Sequence, residues 1–317
     1  MGKVPPFCSM NEVDFMTAPD EKLPIRTAFS ASYYANTSTP SMRKLPLVAR
    51  GAAEAGFATI VEPTPASAAD LAKIHNPAYV GNIITGKGPL SHCAFGFWSE
   101  DYRDGVLAIN GGNLLAARMS LEDGIAANVA QGFHHAGPPN GGGFCTFNGL
   151  ALVAAMHPEL DILVLDCDEH GGDGTAVFTK SLPNLFNFSI CGSTMGAFEG
   201  PHSIVRKVPP SDESQAWIYL NEAMDLISER RPHLVIYQAG MDPHRNDPLS
   251  RSKMSGEFLA KRDEFVMETL LSLTIPFFFV LAGGYQEPME EKLVPLHVRT
   301  FEIAAKLKHR AAVRSDH

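Results

Sequence analysis

Four short apolar runs in this chain each end in a cluster of chemically capable side chains, and this recurrence limits the possible folds more than any other feature. One run ends at Phe133 and meets His134-His135, and Asp161-Ile-Leu-Val-Leu165 leads into Asp166-x-Asp168-x-His170. His233-Leu-Val-Ile-Tyr-Gln238 leads to Gly240-Met-Asp242, and Ile275-Pro-Phe-Phe-Phe-Val-Leu281 to Gly283-Gly-Tyr285. A fifth run, Leu185-Phe-Asn-Phe188, has the same form. Short branched runs separated by helix-like stretches predict buried parallel strands. Strand-helix alternation in turn predicts an α/β chain with one doubly wound, mostly parallel sheet flanked by helices. In such sheets ligand crevices form just past the strand C-termini, so clusters about 150 residues apart can converge on one site.

The helices between the runs are marked unevenly. A helical stretch is expected from about Asn113, with Leu115, Met119, Ile125 and Val129 near one face. Another should start at Ser211-Asp-Glu, which supplies a polar cap and an acidic first turn, and a third near Ser255. Residues 1–25 are rich in proline and polar residues without periodicity and are expected to be irregular, which leaves 26–317 as a single domain. No internal repeat or low-complexity linker marks a further boundary.

A chain of 317 residues with 45% hydrophobic composition can bury a large core. Its 26 basic and 35 acidic residues give a net charge of −9 and no basic stripe, which argues against direct nucleic-acid binding and favours a cationic substrate. The five cysteines (Cys8, Cys93, Cys145, Cys167, Cys191) form no C-x-x-C pair, so neither a disulfide framework nor a cysteine zinc finger is expected. Residues 1–16 lack a secretory pattern, no run reaches the roughly 18 apolar residues of a bilayer span, and Pro6 spoils a myristoylation signal. These features predict a soluble cytoplasmic protein with no membrane partner, and they leave its oligomeric state open.

Asp168 and His170 stand two residues apart on a turn opening into Gly171-Gly-Asp-Gly174, where both side chains can face one ion. Asp242, at the end of a neighbouring strand, would complete two carboxylates and one imidazole with an open position, the pattern of a catalytic zinc. Taken alone, the Asp-x-Asp-x-His cluster also fits loop-capping carboxylates, and Asp before Pro243 fits an ordinary turn. The conjunction favours the metal. His134-His135 resembles a general base and an electrostatic partner, with Asp166 and Asp173 placed to hold the two rings. Packed rings or a metal-binding pair remain open for the histidines by themselves. Tyr285, after two glycines, can donate to an oxyanion. Together these parts suit metal-assisted amide hydrolysis. No phosphate-binding glycine motif and no G-x-S-x-G elbow is present.

Four ordered motifs resemble the histone deacetylase family. They are His134-His-Ala-Gly-Pro-Pro-Asn-Gly-Gly-Gly-Phe-Cys-Thr-Phe-Asn148, Leu165-Asp-Cys-Asp-Glu-His-Gly-Gly-Asp-Gly174, Gln238-Ala-Gly-Met-Asp-Pro-His-Arg-Asn-Asp-Pro-Leu249 and Ala282-Gly-Gly-Tyr-Gln286. Lys261-Arg-Asp-Glu-Phe-Val266 and the final motif are most similar to the small class IV-like branch and its bacterial relatives. The resemblance spans about residues 71–286. It implies an arginase/deacetylase fold, Zn2+ on Asp168, His170 and Asp242, His135 as general base linked to Asp173, and His134 as electrostatic partner linked to Asp166. It further implies Tyr285 on the acyl carbonyl, a channel lined by Gly143, Phe144 and Leu249, and a structural K+ near Asp166, Asp168, His170 and Ser189. The substrate would be an acylated lysine peptide or acylated small amine, hydrolysed by zinc-activated water.

This chain departs from the family pattern in three places. Gly171 stands where the family has a second histidine, or glutamine in the class IV branch, and the stretch between Gly174 and Phe178 is one residue short. Residues 191–200 lack the usual loop carrying the second aromatic wall, for which Met195 or Phe198 are the substitutes at hand. Upstream, His75-Asn-Pro-Ala-Tyr79 and Arg43 echo the family faintly, and no acidic rim residue is evident. Two other readings stand beside the deacylase: a non-catalytic acyl-lysine binding module, and a binuclear manganese ureohydrolase, which would need a second set of metal ligands.

Overall fold

The computed structural model describes residues 22–33, 37 and 39–315, so the irregular segment expected at 1–25 falls outside it as far as residue 21. Among the described residues the strands are β1 (Ile25–Ala28), β2 (Ala58–Val61), β3 (Ile125–Asn128), β4 (Ile162–Asp166), β5 (Leu185–Cys191), β6 (Ser203–Lys207), β7 (Leu234–Gln238) and β8 (Phe277–Val280). They form one sheet in the order β2-β1-β3-β8-β7-β4-β5-β6, with every neighbouring pair parallel. The α-helices of the described residues are α1 (Pro40–Glu54), α2 (Ala68–Leu71), α3 (Pro77–Thr85), α4 (Glu100–Asp123), α5 (Gly149–Met156), α6 (Asp173–Phe178), α7 (Glu213–Arg230), α8 (Gly256–Ser272), α9 (Met289–Lys292) and α10 (Val294–Ser315).

Every residue of β3, β4, β7 and β8 is buried, as expected where helices cover both faces of a parallel sheet. One helical layer runs through α1, α10, α8 and α7, and a second packs α4 against α5 and α5 against α6. The four central strands, in the order β3-β8-β7-β4, are those whose C-termini carry the four polar clusters. From β3 the chain passes over two intervening positions to β4, which places a topological switch in the middle of the sheet. Among the described residues, no helix is long and apolar enough to cross a membrane, and Cys93, Cys145, Cys167 and Cys191 are free thiols.

The helix expected from Asn113 begins thirteen residues earlier, at Glu100, where Ser99 caps it by accepting from the Tyr102 backbone N–H. Its middle carries Gly111 and Gly112, poor helix formers that weaken the sequence signal. Both are required by close neighbours. A methyl group on Gly111 would lie 2.0 Å from the Thr64 carbonyl oxygen, and one on Gly112 would lie 1.7 Å from the Tyr33 hydroxyl. Ile125 and Val129 do not share the helical face: Gly124, at φ 80°, ends the helix, and Ile125 opens β3. The two other expected starts are observed, with Asp212 capping α7 and Ser255 capping α8.

Candidate active site

The metal candidates are built by a succession of tight turns at the end of β4. Asp166 Oδ1 accepts from the Asp168 backbone N–H at 3.1 Å, and Asp168 Oδ1 accepts from that of His170 at 3.0 Å. These bonds roll the chain so that Asp168 and His170 face the same point. Asp242 arrives from the adjacent β7, and its Oδ1 accepts from the Glu169 backbone N–H at 3.0 Å. His170 Nδ1 then lies 3.2 Å from Asp168 Oδ1 and 3.5 Å from Asp242 Oδ2. Ligand atoms from all three residues fall within 4.8 Å of one another.

This arrangement fits a divalent cation. Asp242 is fully buried and its Oδ2 has no hydrogen-bond partner, a costly condition for a carboxylate unless a positive charge faces it. Burial, and then the charge of Asp168, push the Asp242 carboxyl up to about 8, whereas an ion would hold both acids ionised. Burial opposes a charged ring at His170, but its hydrogen bond to Asp168 and the nearby Asp242 carboxylate outweigh burial and raise it to about 11. Gly283 supplies the necessary clearance, since a methyl group there would stand 2.1 Å from Asp242 Oδ2. The described residues contain no second three-ligand group, which leaves the binuclear reading without its ligands.

The two histidines come from the loop after β3 and have separate partners. His134 Nδ1 pairs with Asp166 Oδ2 at 2.7 Å, His135 Nδ1 pairs with Asp173 Oδ1 at 2.6 Å, and the rings are 4.0 Å apart. Their ionisation is driven in opposite directions. Burial works against a charged His134, yet the charges of Asp166 and Asp168 prevail and raise it to about 9. Burial and the neighbouring His134 charge lower His135, which stays neutral.

Tyr285 follows β8, and its backbone N–H donates to Asp247 Oδ2 at 2.7 Å. Burial and then the nearby Asp242 and Asp168 push its hydroxyl well above the usual range, so it remains a donor. One narrow cavity of about 20 Å³ is shared by His134, His135, Asp168, His170 and Tyr285. Gly143 and Phe144 also line it, with the Phe144 ring 6.2 Å from that of Tyr285. Leu249 does not line this cavity; it stands exposed on the loop after Asp247. Met195 and Phe198 line a separate open cleft of about 590 Å³, which adjoins the cavity at His135 and Gly143. The geometry adds no support for a potassium ion: Ser189 Oγ is engaged by the Gly172 backbone N–H and by Asn187 Nδ2.

Gly171 is explained by the altered loop. Its N–H donates to the Met195 carbonyl at 3.1 Å, and a methyl group on it would lie 2.2 Å from the Gly196 oxygen. The loop backbone therefore occupies the space that a side chain at 171 would need. Upstream, His75 braces the site from outside it: its Nδ1 pairs with the Gly137 carbonyl, and its Nε2 accepts from the Asn148 backbone N–H. Arg43 forms an exposed ion pair with Glu287 at 3.1 Å. Its neighbour Lys44 is the informative residue, fully buried, with Nζ donating to the Ala282 and Gly283 carbonyls at 2.7 and 2.8 Å. Sequence reasoning missed Lys44, and with it Ser41 and Gln131, which line the cavity. A lysine on the apolar face of α1 was the available signal.

Residues 39–301 match the Histone deacetylase domain family. An uncharacterized protein of Picosynechococcus sp. is 32% identical over 262 residues, covering 80% of this chain and 84% of that protein. Histone deacetylase 2 of Arabidopsis thaliana is 28% identical over 246 residues, 72% of this chain and 64% of that protein. Among solved structures, acetylpolyamine aminohydrolase from Burkholderia pseudomallei superposes with a TM-score of 0.72 at 18% identity, covering 90% of this chain and 98% of the other. At that identity the likeness speaks for the fold.

Proposed function

Since the chain belongs to the histone deacetylase family, we propose that it is a zinc-dependent deacylase that hydrolyses an N-acyl amide on a lysine-like amine. The observation that carries this reading is the histidine pair beside the three-ligand cluster, each ring bonded through Nδ1 to its own carboxylate, His134 to Asp166 and His135 to Asp173. Asp168, His170 and Asp242 hold the metal. When bound, zinc supplies Lewis acidity to the acyl oxygen and to the attacking water.

The chain's own residues account for the proton movements. His135 donates its Nδ1 hydrogen to Asp173, which leaves Nε2 as the acceptor for a proton from water; the same nitrogen then returns it to the leaving amine. His134, kept charged by Asp166, stabilises the negative charge that develops during attack. The Tyr285 hydroxyl donates to the acyl oxygen. The C–N bond breaks, the water oxygen stays with the acid, and the amine leaves protonated. A net charge of −9 suits a cationic amine, either a lysine peptide or a small polyamine.

The test is release of acetate by the zinc-loaded protein from an acetyl-lysine peptide or an acetylpolyamine. Chelation and Asp168→Ala should each abolish it. Undiminished turnover in metal-free protein would refute the proposal.

A further inference from the structure

The exposure of its lining gives the cavity a direction. Phe144 is 38% exposed and marks the mouth, whereas Ser41 and Gln131, at 1% and 6%, mark the closed end. Asp168, His170 and Tyr285 line the same cavity. With the amine side of the substrate toward the mouth, the acyl group must point at Ser41 and Gln131.

Resting on the deacylase reading, we propose that Gln131 and Ser41 form the end wall of the acyl subsite and restrict the enzyme to acetyl-sized groups. Gln131, from the loop after β3, donates through Nε2 to Ser41 Oγ near the start of α1. Ser41 lines the same cavity as Tyr285. The cavity's 20 Å³ is on the order of one or two water positions. That space takes a methyl group. A longer chain would have to part Gln131 from Ser41 and leave two buried polar groups without partners.

The wall is held on both sides. Lys44, one helical turn beyond Ser41, ties the Ala282 and Gly283 carbonyls to α1, so the Tyr285 loop and Ser41 form one unit. Behind Gln131 the backbone turns sharply through Gly132 at φ 70° and Phe133 at φ 62°, which fixes where the glutamine can reach.

The experiment compares acetyl, butyryl and hexanoyl amides of one lysine peptide on zinc-loaded wild type, Gln131→Ala and Ser41→Ala, each checked for folding by its melting temperature. In parallel, saturation-transfer NMR reads binding of acetate, butyrate and hexanoate to the same proteins. Wild type should prefer acetyl to hexanoyl in kcat/KM, and Gln131→Ala should shift that ratio toward hexanoyl by about ten- to a hundred-fold, the expected cost of stranding one or two buried polar groups. Ser41→Ala should shift it in the same direction. A wild type that prefers hexanoyl, or a ratio unmoved in both variants, overturns the end wall while leaving the deacylase intact. If wild type hydrolyses no amide, the deacylase reading fails and carboxylate binding decides the wall: acetate bound without hexanoate supports it, and hexanoate bound by wild type overturns it.

Discussion

Glu169 lies between two metal candidates yet faces away from them, and replacing it separates two accounts of what it does. Its buried carboxylate accepts from the Arg251 backbone N–H at 2.7 Å, from that of Ser252 at 3.1 Å, and from the Ser252 hydroxyl. It thereby ties the β4 turn to the loop at residues 243–252, whose Asp247 holds the Tyr285 backbone. Glu169→Ala strands three donors at about 1–3 kcal/mol each, and relief of a buried charge recovers several kcal/mol, for a net loss of about 3 kcal/mol. Glu169→Gln keeps an acceptor for the two backbone donors, and the Ser252 hydroxyl can accept from the new amide, so its loss should stay within about 1 kcal/mol. At about 2.1 cal/mol/K per residue, a chain of 317 residues shifts its melting temperature by about 1.5 °C per kcal/mol. Calorimetry on metal-free protein should therefore show Glu169→Ala melting about 4–5 °C lower and Glu169→Gln within about 1.5 °C of wild type. If Gln proves as damaging as Ala, charge rather than donor satisfaction sets the energy, and the reasoning fails.

Other outcomes follow from the same geometry. His135→Ala should lower kcat by about 10²–10⁴-fold with zinc content retained, checked by turnover beside elemental analysis. Tyr285→Phe should cost about 10²–10³-fold in kcat, and a loss confined to KM would contradict its donor role. Gly283→Ala pushes a methyl group against Asp242 and should lose zinc at equilibrium dialysis. His75 is lowered to about 4 because burial disfavours its charged ring despite the Gly137 and Pro138 carbonyls, whereas the unfolded chain titrates near 6.5. Below that value the unfolded state binds the extra proton, so about 3 kcal/mol of stability present above pH 6.5 should drain away as pH falls toward 4. His75→Gln, able to keep both hydrogen bonds, should flatten that acid limb in urea titrations across pH.

How far the sequence could be read follows from how each element is stabilised. The central strands β4, β7 and β8 were legible because burial on both faces demands continuous apolar runs, as in Phe277–Val280, whereas Ile125 at the start of β3 was read as part of a helical face. β1, β2 and β6 were not, since Arg26, Thr59 and Arg206 interrupt strands that lie toward the sheet margins. The first half of α4 was hidden by glycines whose reason is tertiary, the Thr64 carbonyl and the Tyr33 hydroxyl. Local propensity carries no information about either neighbour.

The site divides along the same line. Residues joined by short spacing or by one sheet edge, such as Asp168 with His170 and His134 with Asp166, could be placed together from the chain alone. Ser41, which lines the cavity from α1, and Lys44, which ties α1 to the segment after β8, are separated from Tyr285 by more than 240 residues, and only the tertiary fold brings them to it. Gly171 shows the converse. Read in isolation it is a missing side chain, a loss at a metal turn. With Gly196 against it, a methyl group on either would lie 2.2 or 2.0 Å from the other's carbonyl oxygen. The two glycines are one feature, a backbone contact that brings the Met195 loop up to His135. Restoring a side chain at 171 would therefore displace that loop and alter the open cleft lined by Met195 and Phe198.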